Sequence, residues 1–249
     1  MTTQLYGIHA VQAALEYSPQ KIQRVLIDGQ RQDNRLKQLM EELSALGLSL
    51  EKTDRKKLDR LADGKNHQGI VISVELPAMR SEEQLKQDVA DLSATPFYLV
   101  LDQVQDPHNL GACLRTADAV GVQGIIVTKD NAAGITPTVC KVASGAAETV
   151  PVYQVTNLAR VLRWLKEQNI WIMGTAGEAE QTVFELKLDM PLAIVMGAEG
   201  DGMRHLTRQH CDFLVKIPMV GQVESLNVSV AAGVLMYEAF RQKQLISAK

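Results

Sequence analysis

Ile217-Pro218-Met219-Val220-Gly221-Gln222-Val223-Glu224-Ser225-Leu226-Asn227-Val228-Ser229-Val230-Ala231-Ala232-Gly233 decides how this chain is read. An apolar strand, Phe213 to Ile217, stops at Pro218, which has no N–H to give a sheet ladder. A loop follows, and a helix of small residues starts near Asn227. Ser225 and Asn227 carry short polar side chains that can cap that helix and hydrogen-bond within the loop. Ala231, Ala232 and Gly233 stand where an ordinary amphipathic helix carries larger apolar groups, which predicts that another backbone comes close. Taken alone, the stretch also fits a plain strand–loop–helix connection.

Working outward, five further apolar runs precede this strand: Phe97–Leu101, Gly124–Val127, Val150–Tyr153, Ile170–Met173 and Leu192–Met196. Helical patterns lie around 109–120, 137–147, 157–168 and 203–210. Alternation of continuous apolar strands with helices is the pattern of a mostly parallel sheet covered on both faces, so residues 96–249 read as an α/β domain. Ligands of such sheets bind beyond the C-terminal ends of the strands.

Three strand ends carry polar groups. Asp106-Pro107-His108-Asn109-Leu110-Gly111-Ala112-Cys113-Leu114-Arg115-Thr116-Ala117 follows the first strand. Asn109 can cap the helix there. Arg115, two turns in, has Ala112, Cys113, Leu114, Ala117 and Ala119 for neighbours, where a buried cation needs a purpose. Gly197-Ala198-Glu199-Gly200-Asp201-Gly202-Met203 follows the fifth strand, and its glycines let backbone approach a ligand. The order is GxxGxG rather than the dinucleotide pattern GxGxxG, and the remaining chain is too short for a second mononucleotide half. Glu199 can also serve simply as a cap for loop N–H groups. The third loaded end is the opening stretch.

The first 76 residues read as a small α/β module. A helix is expected over Leu5–Leu15, and strands at Arg24–Asp28, Leu48–Thr53 and Gly69–Val74. An amphipathic helix with Leu36, Leu39, Met40, Leu43 and Leu46 is closed by Gly47. Asp54 can cap a short basic helix containing Arg55, Lys56, Lys57 and Arg60. The segment Lys52–Lys65 holds six basic and three acidic residues, either a solvated face or a set of phosphate contacts. Residues 77–95 read as a linker with one helix, opened by a capping box at Ser81 and Gln84.

Of 249 residues, 46% are hydrophobic and 22% charged, and the net charge is −3. Residues 1–65 hold 11 basic against 9 acidic side chains and the rest hold 15 against 20, so a polyanion would meet the N-terminal part first. Cys113, Cys140 and Cys211 are far apart and lack metal-ligand spacing, so they read as reduced thiols of a cytoplasmic protein. The opening residues lack the regions of a secretory signal, and no apolar run reaches the ~20 residues of a membrane span.

Asp106–Ala117, Ile194–Met203 and Ile217–Glu238 resemble, in order and spacing, the three motifs of the SpoU (TrmH-like) family of RNA ribose 2′-O-methyltransferases, within the SPOUT superfamily. The polar positions Asn109, Arg115, Glu199, Ser225 and Asn227 all match. Residues 1–76 are similar to the L30-like RNA-binding domain of family members. The resemblance implies an α/β sheet whose C-terminal segment is threaded into a deep trefoil knot. It implies S-adenosyl-L-methionine bound by Thr175, Gly177, Gly197, Ile217 and Leu226, and catalysis by Arg115 with Asn109, Glu199, Ser225 and Asn227. It further implies a homodimer acting on a guanosine of 23S rRNA, in the peptidyl-transferase P loop, with Lys56, Lys57 and Arg60 as RNA contacts. No metal is implied. The same chemistry on tRNA or another rRNA site, and a non-catalytic ribosome-assembly protein, stay open at this stage.

Overall fold

The computed structural model describes residues 2–17, 19–31, 33–200 and 202–247. It divides into two compact units, Met1–Ala78 with Ile135–Lys141, and Met79–Gly134 with Val142–Lys249.

The first unit starts with β1 (Thr2–Tyr6) and α1 (Ile8–Tyr17), then β2 (Ile22–Asp28), α2 (Asn34–Ala45), β3 (Leu50–Thr53), α3 (Arg55–Leu61) and β4 (Ile70–Glu75). The sheet order is β1-β4-β2-β3, with β2 and β3 parallel and β4 antiparallel to both β1 and β2. The helix expected from Leu5 therefore begins three residues later, because Thr2–Tyr6 extends along the free edge of β4 and Gly7, at φ +89°, turns the chain. Residues of β2 and β4 alternate between faces. Val25, Ile27, Ile70 and Ile72 meet Val11, Leu36, Leu39 and Leu43, while Leu26 and Val71 meet Leu58 of α3. Asp33 and Asp54 cap α2 and α3 by accepting from Leu36 N–H and Lys57 N–H.

The second unit opens with α4 (Glu82–Ala90), capped as expected by Ser81 and Gln84. This helix does not float as a linker: Leu85 and Val89 are buried in the second core with Tyr98, Val100 and Val195. Next come β5 (Phe97–Asp102), α5 (Pro107–Ala119) and β6 (Gly124–Thr128), then α6 (Pro137–Ala143), whose residues up to Lys141 belong to the first unit, and, again in the second, α7 (Ala146–Thr149) and β7 (Val152–Val155). The single helix expected over 137–147 is two, broken where Ser144 and Gly145 take positive φ. Then follow α8 (Leu158–Glu167), β8 (Trp171–Thr175), β9 (Leu192–Gly197), α9 (His205–Gln209), β10 (Phe213–Val215) and α10 (Val228–Ser247).

The six strands are all parallel, in the order β10-β8-β9-β5-β6-β7. Alternate residues of β5 are buried on both faces, Tyr98 and Val100 as fully as Leu99 and Leu101, which is why the strand reads as an unbroken apolar run. β10 ends at Val215, two residues short of the expected Ile217, since Lys216 leaves the ladder to bridge Thr182. Helix α10 packs on α5 and β9, burying Ala232, Leu235, Met236 and Ala239. The close backbone approach expected at Gly233 is looser than the sequence suggested. A Cβ there would sit 3.9 Å from Thr116 Cγ2, an ordinary contact. Among the described residues, no helix is long and apolar enough to cross a membrane, and no group of three or more His, Cys, Asp or Glu could hold a metal ion.

Candidate active site

The C-terminal ends of β5, β8, β9 and β10 deliver the residues singled out above. At the end of β5, Asp106 takes extended backbone angles and its carboxylate accepts from His108 N–H at 2.9 Å, with Pro107 as the first helical residue of α5. The cap is thus Asp106 and not Asn109. Asn109, buried inside the first turn, has its amide free for other work.

That work is a ring of hydrogen bonds joining all three sequence motifs. Asn109 Nδ2 donates to Glu199 Oε1 at 3.1 Å. Asn227 Nδ2 spends its two protons on Asn109 Oδ1 and Glu199 Oε1, both at 2.9 Å. Asn227 Oδ1 accepts from Ser229 N–H at 2.9 Å, Ser229 Oγ at 2.6 Å and Val230 N–H at 3.4 Å, capping α10. One side chain therefore fixes both the start of α10 and the position of the Glu199 carboxylate. Ser225 lies exposed in the preceding loop, outside this ring.

The loop after β9 folds tightly back on its own strand. Ala198 and Gly202 exchange backbone hydrogen bonds at 3.1 and 3.0 Å. A Cβ on Gly197 would fall 2.1 Å from the Gly202 carbonyl carbon and 2.2 Å from Met203 N. Glycine is required at 197 by the loop itself, before any ligand is considered. Gly177, beyond β8, is the opposite case: an added Cβ meets nothing within 4 Å. Thr175 Oγ1 is turned onto Val195 O at 3.3 Å. Ile217 and Leu226 are half-buried where the third loop begins and ends. These strand ends pair apolar side chains with accessible backbone, as an adenosine-bearing ligand requires, so the residues present fit S-adenosylmethionine.

Arg115 is not enclosed. It lies exposed on α5, and among the described residues it makes no ion pair. Cys113, Leu114 and Ala117 are buried and Ala112 is half-buried, but Ala119 is exposed like Arg115; neighbours in the sequence of a helix do not all share one environment.

Two residues that sequence reasoning passed over stand beside the site. Asp102, the last residue of β5, has a side chain with 0% exposure. It accepts from Arg204 backbone N–H at 3.0 Å and from Arg204 Nε at 2.7 Å. An acid ending an otherwise apolar strand was the available signal.

In the first unit, Lys56 and Arg60 are exposed on α3 and Lys57 is half-buried. Beside them, but not lined by them, is a polar cleft of about 860 Å³ bounded by Arg31, Arg55, Lys65, Asn66 and Gln68. It lies past the C-terminal ends of the parallel pair β2 and β3. Its loop is held by His67, buried, whose Nδ1 accepts from Gly69 N–H at 3.1 Å, so that Nε2 carries the proton toward Asp59 Oδ1 at 3.0 Å.

Residues 96–237 match the model of the SpoU rRNA Methylase family, and residues 4–79 match "RNA 2'-O ribose methyltransferase substrate binding". A 23S rRNA (guanosine-2'-O-)-methyltransferase RlmB of Vibrio vulnificus is 55% identical over 239 residues, 96% of each chain. Its counterpart in Escherichia coli K12 is 53% identical over 243 residues, 98% of this chain and 100% of that one. Among solved structures, the SpoU methyltransferase AviRb from Streptomyces viridochromogenes, in complex with the cofactor AdoMet, superposes with a TM-score of 0.63. It is 26% identical and covers 98% of this chain and 91% of its own. With the family model spanning all six parallel strands and relatives matching 96–98% of the chain, this chain belongs to the SpoU rRNA methylase family.

Proposed function

We infer that this protein is an S-adenosylmethionine-dependent RNA methyltransferase that modifies the 2′-oxygen of a guanosine ribose in 23S rRNA. The observation that carries the chemistry is the Asn109–Glu199–Asn227 ring, which draws the loops of all three family motifs together at one end of a parallel sheet. The substrate follows from relatives of 52–55% identity along nearly the whole length of both units.

S-adenosylmethionine, when bound, supplies the electrophilic methyl group. Thr175, Gly177, Gly197, Ile217 and Leu226 are the residues that would hold it, chiefly through backbone. The chain's own task is to place a ribose 2′-hydroxyl and to favour loss of its proton. Holding two reactants together is worth on the order of 7–11 kcal/mol over a chance encounter. Arg115 is exposed, which leaves its planar guanidinium free to meet RNA. Its role is to stabilise the developing alkoxide or a neighbouring phosphate. Asn109 and Asn227 hold the Glu199 carboxylate, and Ser225 stands in the third loop where an arriving ribose can meet its hydroxyl. The 2′-hydroxyl also separates RNA from DNA.

Two finer readings accompany this one. A symmetric homodimer is supported by the exposed apolar side chains Met219, Val220, Val223, Val230 and Tyr237 on the third loop and α10, since a monomer gains nothing by leaving them in water. The threaded path implied by the resemblance is supported by the strand order. The chain leaves β9 inside the sheet, adds β10 beyond β8, and returns as α10 against α5 and β9.

The test is methyl transfer from tritiated S-adenosylmethionine to a 23S rRNA fragment containing the peptidyl-transferase P loop, followed by mapping of the 2′-O-methyl group. Transfer to a guanosine ribose of that fragment, and not to bulk tRNA, is expected. Transfer to tRNA alone would move the substrate assignment, and binding of RNA without transfer would leave an assembly protein. Light scattering at low micromolar concentration should give about twice 27.4 kDa.

A further inference from the structure

We propose that Asp102 and Arg204 form the positioning pair that holds residues 197–204 in the shape that receives the cofactor. The proposal rests on the S-adenosylmethionine reading given above and adds to it two residues outside the family's motif positions. Asp102 is the most deeply buried acid among the described residues, at 1% exposure. A carboxylate removed from water is costly unless it is paired and fully hydrogen-bonded. Here a single residue supplies both bonds. Arg204 gives its backbone N–H to Oδ2 at 3.0 Å and its Nε–H to Oδ1 at 2.7 Å. The acid therefore fixes the main chain and the side chain of residue 204 together.

The register shows what this achieves. Asp102 lies opposite Gly197 in the β5–β9 pair. An acid beside the first residue of the loop thus binds the last, and the loop is closed at its neck. Inside it, Ala198 and Gly202 are bonded to one another, and Glu199 is tied to Asn109 and Asn227. At Gly200 and Gly202, both at positive φ, a Cβ would meet nothing within 4 Å. The neck is held, and Gly200 and Gly202 present bare backbone. The β5–β9 ladder is already complete from Phe97 to Asp102 without Arg204, and the guanidinium is 46% exposed, so the pair adds little to the core. What it adds is the placement of loop backbone, on which affinity for a ligand gripped through backbone depends.

The experiment compares wild type, Asp102→Asn, Arg204→Met and the double variant in the full-length protein, by calorimetry with S-adenosylmethionine, thermal unfolding and single-turnover transfer to the rRNA fragment. Asp102→Asn should weaken cofactor binding about tenfold, the scale of one charge-assisted hydrogen bond. The single-turnover rate at saturating cofactor should fall by less than the affinity does, and the melting temperature should hardly move. Arg204→Met should be the worse single change, because it strands a buried carboxylate. Adding Asp102→Asn to it should then restore part of the affinity, a non-additivity that simple loosening of the fold does not produce. Unchanged affinity in both single variants, or affinity lost in step with melting temperature and additively, would overturn the proposal. A wild-type protein that binds no S-adenosylmethionine would overturn the cofactor reading as well. Wild-type binding with indifferent variants would overturn the pair alone.

Discussion

The two units use the same place in a sheet for different ends. In each, polar groups gather past the C-terminal ends of parallel strands: β2 and β3 in the first unit, β5, β8 and β9 in the second. In the first, the cleft is walled by the cations Arg31, Arg55 and Lys65, the acids Asp28, Asp54 and Asp59, and several amides, and its loop is shaped by His67 and by positive φ at Asp63, Gly64, Gln68 and Gly69. In the second, side-chain hydrogen bonds between distant residues do the shaping, through Asn109, Glu199, Asn227, Asp102 and Arg204. A surface that attracts a polyanion works with charges in high dielectric, where exact placement matters little. A surface that moves a methyl group needs its groups held before substrate arrives. On the reading that the first unit docks RNA and the second carries out the chemistry, substitutions should separate the two.

The largest effect should come from Arg115→Ala. Methyl transfer should fall by about two orders of magnitude or more, the scale of one lost transition-state stabiliser, with cofactor affinity nearly normal. Arg115→Lys should rescue only partly, because an ammonium lacks the planar fork. Single-turnover tritium transfer checks both, and a wild-type rate for Arg115→Ala would return that residue to an ordinary surface cation.

Next come two glycines of the proposed cofactor site. Gly177→Val, entering open space, should cut S-adenosylmethionine binding while the melting temperature holds. Gly197→Val should cost both affinity and about 1–3 kcal/mol of stability, since its Cβ runs into the loop backbone. Calorimetry and thermal melts on the same samples decide. Equal stability of the two would mean that the loop yields more easily than its bonds suggest.

In the first unit, replacing Lys56, Lys57 and Arg60 together by alanine should weaken RNA binding and reduce the log–log salt slope by up to about 2–3, one unit for each lost phosphate contact. Cofactor affinity should stay constant. A slope that does not change, read by fluorescence anisotropy across salt, would move RNA docking to the cleft residues Arg31, Arg55 and Lys65.

The smallest effect on folding should be at Asn227. Asn227→Asp keeps the oxygen that caps α10 but sets a second carboxylate against Glu199. Melting should change little while transfer drops. Asn227→Ala should lose the cap as well, about 1 kcal/mol. If both variants melted and reacted alike, cap and ring would not be separable.

Much of this was legible in the sequence because local rules agreed with the fold. The Ser81–Gln84 box, the Asp54 cap and the apolar runs of the parallel sheet stand where composition puts them. Asn109, Glu199 and Asn227 were singled out individually, yet their union spans 118 residues and no local pattern encodes it. The Asp102–Arg204 pair was missed for the same reason, at a separation of 102. Arg115 was misplaced because small neighbours in sequence suggested burial that the helix does not impose. β1 was misread because an edge strand is defined by its partner, β4, about seventy residues later.

The first unit includes Ile135–Lys141, and Ile135 and Cys140 pack against its core. It is therefore not finished when the ribosome has made its first 78 residues. The chain must first emit β5, α5 and β6 of the second unit before the closing piece arrives, so the order of synthesis and the order of completion differ. During that interval the N-terminal core has an apolar flank uncovered. A fragment cut at residue 78 would keep that flank open permanently, and transplanting the unit onto another catalytic domain would have to carry the later segment with it.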